Sequence, residues 1–83
     1  MFLEIITPDE KIFEGEVETA TFPGSDGSFQ VLDNHAPMLS TLGKGDIKYT
    51  QKKKKEVQIL VEGGVVEVIN NKVNVLVESV LDE

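Results

Sequence analysis

Val65-Val66-Glu67-Val68-Ile69-Asn70-Asn71-Lys72-Val73-Asn74-Val75-Leu76-Val77 is the stretch that decides the fold. On both sides of Asn70-Asn71 its residues alternate with a period of two, the pattern of half-buried strands. Asparagine reaches the left-handed backbone region at lower cost than most residues, so a two-residue Asn-Asn loop suits a type I′ hairpin. In that register Val68 faces Val73 and Val66 faces Val75 on the core side, while Glu67 opposes Asn74 and Val65 opposes Leu76 on the other face.

Upstream, the same kind of segment recurs between turn signals. Phe2 to Ile6 reads as a strand, and Thr7-Pro8-Asp9-Glu10 as a turn whose proline pre-sets the dihedral. Lys11 to Phe13 resumes extended structure and Gly15 interrupts it; Val17 to Phe22 then alternates with Val17, Thr19 and Thr21 on one face. Pro23 to Gly27 is a tight turn, Phe29 to Leu32 a short strand, 33–37 a loop, Met38 to Leu42 extended, and Gly43 to Asp46 another turn. Ile47 to Gln51 and Val57 to Val61 flank a lysine run, and Gly63-Gly64 separates them from the hairpin. No segment has helical periodicity. The expectation is an all-β chain, a flattened two-sheet β-sandwich of about 8–10 short strands.

Composition agrees: 11 Val, 6 Ile and 7 Leu stand against 2 Ala, a skew toward pleated strands. Eighty-three residues make a single domain, 1–83. With no cysteine and His35 as the one histidine, disulfides, thiol catalysis, zinc motifs and nucleophile triads lack their residues, so neither a metal nor a cofactor is expected. A net charge of −7 with no arginine argues against nucleic acid, whose phosphates need cations. No apolar run approaches a membrane span, and Met1 to Thr7 carries Glu4 rather than a basic leader, which reads as soluble without an export or transit signal.

Each conspicuous motif has a plain structural reading. Lys52 to Lys55 is a solvated hairpin tip whose like charges discourage edge pairing, with an anionic lipid surface as the weaker alternative. His35, beside Asp33, is a loop hydrogen-bonding group. The carboxylates are scattered at strand positions that alternate with apolar residues, as on solvated faces. Gly24 to Gly27 and Gly43 to Gly45 lack the following helix and the Lys-Ser/Thr of a phosphate cradle and are turns. Nothing here points to an enzyme. Leu60, Val65 and Leu76 fall on the nominally outer face, either covered by another sheet, loop or crossing strand or forming a docking patch.

The order of these signals resembles the N-terminal β-sandwich domain of the epsilon subunit of F-type ATP synthase. The resemblance spans the chain and rests on Phe13-x-Gly15, on Pro23 followed by Gly24-Ser25-Asp26-Gly27, and on His35-Ala36-Pro37 with Leu39. It continues through Gly45 before Ile47 and Gly63-Gly64-x-x-Glu67-Val68 leading into Val73-x-Val75-Leu76. It implies a non-catalytic rotor part of the central stalk that clamps the gamma subunit, rests on the c-subunit ring, and couples proton-driven rotation to ATP synthesis. By motif, Thr7, His35 and Ser40 correspond to gamma-facing positions, and Asp26, Gly27 and Ser28 to the turn facing the c-ring. Ser28 departs from the acidic residue often found there, which leaves the acidic contact to Asp26. The location implied is peripheral, at the cytoplasmic face of a bacterial plasma membrane; a plastid-encoded thylakoid form, the alternative, would look similar in sequence. Many members continue into a C-terminal helical hairpin, whereas this chain ends at Glu83, so its inhibitory role and nucleotide site are not expected here. The rival is a lipoyl- or biotinyl-type carrier domain, but Lys44 and the lysine run lack the flanking Asp or Met of its modified lysine. A generic small sandwich that binds a ligand is the third reading.

Overall fold

A computed structural model describes residues 1–81, and Asp82 and Glu83 of the acidic ending lie outside the described residues. Among the described residues there are eight strands and no helix. They are β1 (Phe2–Ile6), β2 (Lys11–Glu16), β3 (Thr19–Gly24), β4 (Gly27–Leu32), β5 (Met38–Leu42), β6 (Gly45–Thr50), β7 (Val57–Ile69) and β8 (Lys72–Val80).

The β7–β8 hairpin forms in the register read from its sequence: Val68 pairs with Val73, Val66 with Val75, Glu67 with Asn74, and Val65 with Leu76. Asn70 and Asn71 hold φ of 52° and 59°, as a type I′ turn requires. β1 adds in parallel to the far side of β8, and β2 pairs antiparallel with β1. β5 runs along the C-terminal half of β7, and β6 along its N-terminal half. β3 and β4 continue from β6.

The two expected sheets are therefore one continuous sheet folded over through β7. One layer is β2-β1-β8-β7-β5; the other is β7-β6-β3-β4. Gly63-Gly64 does not separate two strands, as the sequence suggested; β7 runs through it for 13 residues. What changes there is parity. Val66 and Val68 are buried on one side of the pair, Ile59 and Val61 are buried or packed on the core on the other, and φ of 67° and 147° at the two glycines makes the switch. The opposite edge closes where Gly24 of β3 meets Leu42 of β5 and Gly43 N–H donates to the Pro23 carbonyl at 2.8 Å.

Between the layers lies an apolar core that includes Leu3, Ile5, Val66, Val68, Val73, Val75 and Val77 from one side and Ala20, Phe22, Val31, Ile47 and Val61 from the other. Phe13 of β2 stacks on Tyr49 of β6 with ring centroids 4.2 Å apart, joining the layers where no backbone ladder does. One expectation is corrected here. Val17 does not share a face with Thr19 and Thr21: it is buried together with Ala20 and Phe22, because Val17 N–H turns to the Met1 carbonyl and Glu18 N–H to the Thr50 carbonyl, which breaks the alternation. Other boundaries move too. Gly15 lies within β2, and the Pro23–Gly27 turn narrows to Ser25-Asp26, with Pro23, Gly24 and Gly27 in strands.

Candidate docking face

The pairing registers place side chains on the outer surface of the β2-β1-β8-β7-β5 layer in cross-strand rows. One row reads Leu39, Glu67, Asn74, Glu4, Glu14. The next reads Thr41, Val65, Leu76, Ile6, Lys11. Successive residues in a strand point to opposite faces, so burying Val66 and Val75 inside forces Val65 and Leu76 outside. Nothing among the described residues covers them: Leu39 is 73% exposed, Leu76 49% and Val65 39%. Two adjoining hollows of about 510 and 400 Å³ meet at the Val65–Leu76 pair. The larger is floored by Ile6, Leu39, Val65 and Leu76 and edged by Glu4 and Glu67; the smaller runs on past Thr41 and Pro8 to Glu78.

This face holds some of the residues singled out from sequence and not others. Val65 and Leu76 stand side by side on it, whereas Leu60, half-buried opposite Asp46, belongs to the outer surface of the other layer. Thr7 follows β1 at one end, where its hydroxyl accepts from Asp9 and Glu10 N–H groups at 3.2 and 3.1 Å and caps the turn. His35 lies at the opposite end, before β5, with its Nδ1–H donating to the Ala36 carbonyl at 2.7 Å. Ser40 sits between them in the inner row with Val66, half-buried, its Oγ donating to the Thr41 carbonyl at 3.1 Å. Thr7, His35 and Ser40 thus flank the face along its length without converging. The residue missed is Leu39. Its signal was parity: with Leu42 inward, Leu39 and Thr41 must point out.

Asp26, Gly27 and Ser28 are exposed at the β3–β4 turn. That turn is tied to β5 by Ser25 N–H donating to the Thr41 carbonyl at 3.0 Å and by Thr41 Oγ1 donating to Ser25 Oγ at 2.9 Å. The lysine tip is exposed at the far end of the same layer, since Thr19, where β3 begins, pairs with Thr50, where β6 ends.

The distinctive surface of this small all-β fold is an open apolar face, the kind of surface through which a domain meets a partner. Residues 1–83 match the family described as ATP synthase, Delta/Epsilon chain, beta-sandwich domain, and the chain belongs to that family, a non-catalytic part of the synthase. Among its relatives is the ATP synthase epsilon chain of Chlorobium limicola, 41% identical over 78 residues that cover 94% of this chain and 89% of that one. The epsilon chain of Maridesulfovibrio salexigens is 44% identical over the same share of this chain but only 54% of its own length. Two solved structures share the fold: a Tetrahymena thermophila mitochondrial ATP synthase central stalk and c-ring (TM-score 0.80, 22% identity, 98% of this chain and 65% of that one) and a Euglena gracilis mitochondrial ATP synthase (TM-score 0.88, 23% identity, 95% and 51%). Family membership sets aside the lipoyl or biotinyl carrier reading of Lys44 and the lysine run. No helix among the described residues is long and apolar enough to cross a membrane.

Proposed function

We propose that this chain is a rotor part of the ATP synthase central stalk: the outer face of the β2-β1-β8-β7-β5 layer holds the gamma subunit, and the Asp26–Ser28 turn rests on the c-subunit ring. The observation that carries the reading is the uncovered apolar surface around Leu39, Val65 and Leu76 in a chain whose relatives are epsilon chains. Covering side chains of this size returns roughly 1–3 kcal/mol each, enough to anchor a partner. On this reading Thr7 and His35 border the gamma contact at its two ends, Ser40 supports Leu39 from beneath, and Asp26 supplies the acidic group toward the ring. Proton-driven rotation of the ring would then turn gamma through this domain, at the cytoplasmic face of the plasma membrane. A part with that task must not deform under torque, and a sandwich closed by a continuous β7 and packed with branched side chains suits it.

The test is capture of purified gamma subunit by the folded chain at micromolar concentration. Stoichiometric co-elution is expected, and its absence with a chain shown to be folded overturns the reading. In the assembled synthase, Asp26→Lys is expected to lower proton-coupled ATP synthesis without reducing gamma capture.

A further inference from the structure

We infer, resting on the gamma reading above, that the gamma segment seated on this face carries two apolar side chains, one on each side of the Val65–Leu76 pair, and a lysine or arginine that meets Glu67. The first half follows from shape. The two hollows share Val65 and Leu76 as their common wall, so a single side chain cannot fill both. The second half follows from charge. Glu4, Glu67 and Glu78 line the two hollows and no lysine does. Glu4 has a cation already, since Lys11 Nζ lies 3.5 Å from it and 2.8 Å from Glu14. Glu67 and Glu78 have no ion pair among the described residues.

Glu67 cannot be left at the rim. It stands in the row between Leu39 and Asn74, so a partner that covers Leu39 also covers Glu67. Removing an unpaired carboxylate from water is strongly unfavourable and opposes the gain from the apolar contacts unless the partner supplies a cation. The same argument excludes a second copy of this chain, which would bring more carboxylates and no lysine from the lining of the hollows to Glu67, in a protein of net charge −7. It equally excludes a purely aliphatic segment.

The experiment measures gamma affinity for the wild-type chain and for Glu67→Gln and Glu67→Lys, with circular dichroism to confirm folding, at low and high salt. Glu67→Lys is expected to weaken binding about tenfold or more, Glu67→Gln less, and the wild-type affinity to fall with salt. A zero-length carbodiimide cross-link is expected to join Glu67 to a gamma lysine where lysine is the cation, and reversing the charge of the gamma cation is expected to restore Glu67→Lys. Full-strength binding by Glu67→Lys overturns the inference while leaving the gamma reading intact, whereas no binding by the wild type overturns that reading itself. A wild-type dimer in sedimentation at micromolar concentration assigns the face to a second copy and also overturns it.

Discussion

The α-ammonium of Met1 lies 2.6 Å from Asp33 Oδ1. The same group donates to the Val17 carbonyl at 3.3 Å and sits 3.4 Å from Glu16 Oε1, while the Met1 side chain is buried. One cation thereby joins the start of β1, the link between β2 and β3, and the loop that carries His35. A second tie holds the same loop: Asn34 N–H donates to Asn71 Oδ1 at 2.8 Å.

The ammonium should make stability fall at alkaline pH. Asp33, chiefly through its hydrogen bond, raises the amine above its ordinary 8.0, and Glu16 adds to this. A raised pKa favours the protonated form in the fold, so the contribution is fully present below about pH 8 and is lost as pH rises through the higher folded value. Burial also raises the Tyr49 hydroxyl above its usual 10.0, so the folded state resists an ionisation that the unfolded chain accepts, and stability falls further above that pH. Urea midpoints measured from about pH 7 to 11 should therefore decline in two stages, and Asp33→Asn should flatten the first.

Asn71 separates backbone from side-chain roles. Glycine tolerates φ of 59° at least as well as asparagine, so Asn71→Gly should keep the hairpin while losing the bond to Asn34. Amide exchange is expected to accelerate at Asn34 and His35 and to remain slow in the core of β8. Asn70→Val, by contrast, forces a branched residue into φ of 52° and should cost about 1–2 kcal/mol.

How the core was legible, and where it was not, can be traced to the range of each signal. Val65 to Val77 carries its own register because alternation and an Asn-Asn turn are local properties of the chain. Closure is different. Nothing within β6 or β2 shows that Tyr49 will meet Phe13, and nothing in the two glycines distinguishes a loop from a strand that flips its buried side. The outer face lay between these cases: Val65 and Leu76 followed from hairpin parity, but Leu39 needed the β5–β7 pairing, a contact nearly 30 residues apart in the chain, to join them.

Phe22 tests the core directly. It is fully buried, pairs with Phe29 across the β3–β4 ladder, and tilts against that ring at 5.6 Å between centroids. Phe22→Ala should cost about 3–5 kcal/mol, a large share of the roughly 5–15 kcal/mol available to a small domain. Lys54→Ala at the exposed tip should change stability by no more than about 0.5 kcal/mol, and a chemical-denaturation comparison of the two reads the contrast.

Gly64 is the position where the folded-over sheet depends most on one residue. Its φ of 147° is unfavourable for any side chain, and a β-carbon there would overlap the Leu76 carbonyl oxygen and lie 2.9 Å from Val77 Cα. Both obstacles are backbone of the paired strand, so a rotamer change cannot relieve them. Gly27, with φ of 129°, has the first problem without the second, since nothing lies within 4 Å of an added β-carbon. Gly27→Ala should therefore cost about 1–2 kcal/mol and Gly64→Ala about 3 kcal/mol or more. Because Gly64 also adjoins Val65 in the floor of the docking face, Gly64→Ala should weaken gamma capture even at temperatures where the chain stays folded, while Gly27→Ala leaves it unchanged. Equal stability of the two variants would mean that the strand can bend around residue 64 by another route, and the parity switch would then need a different origin.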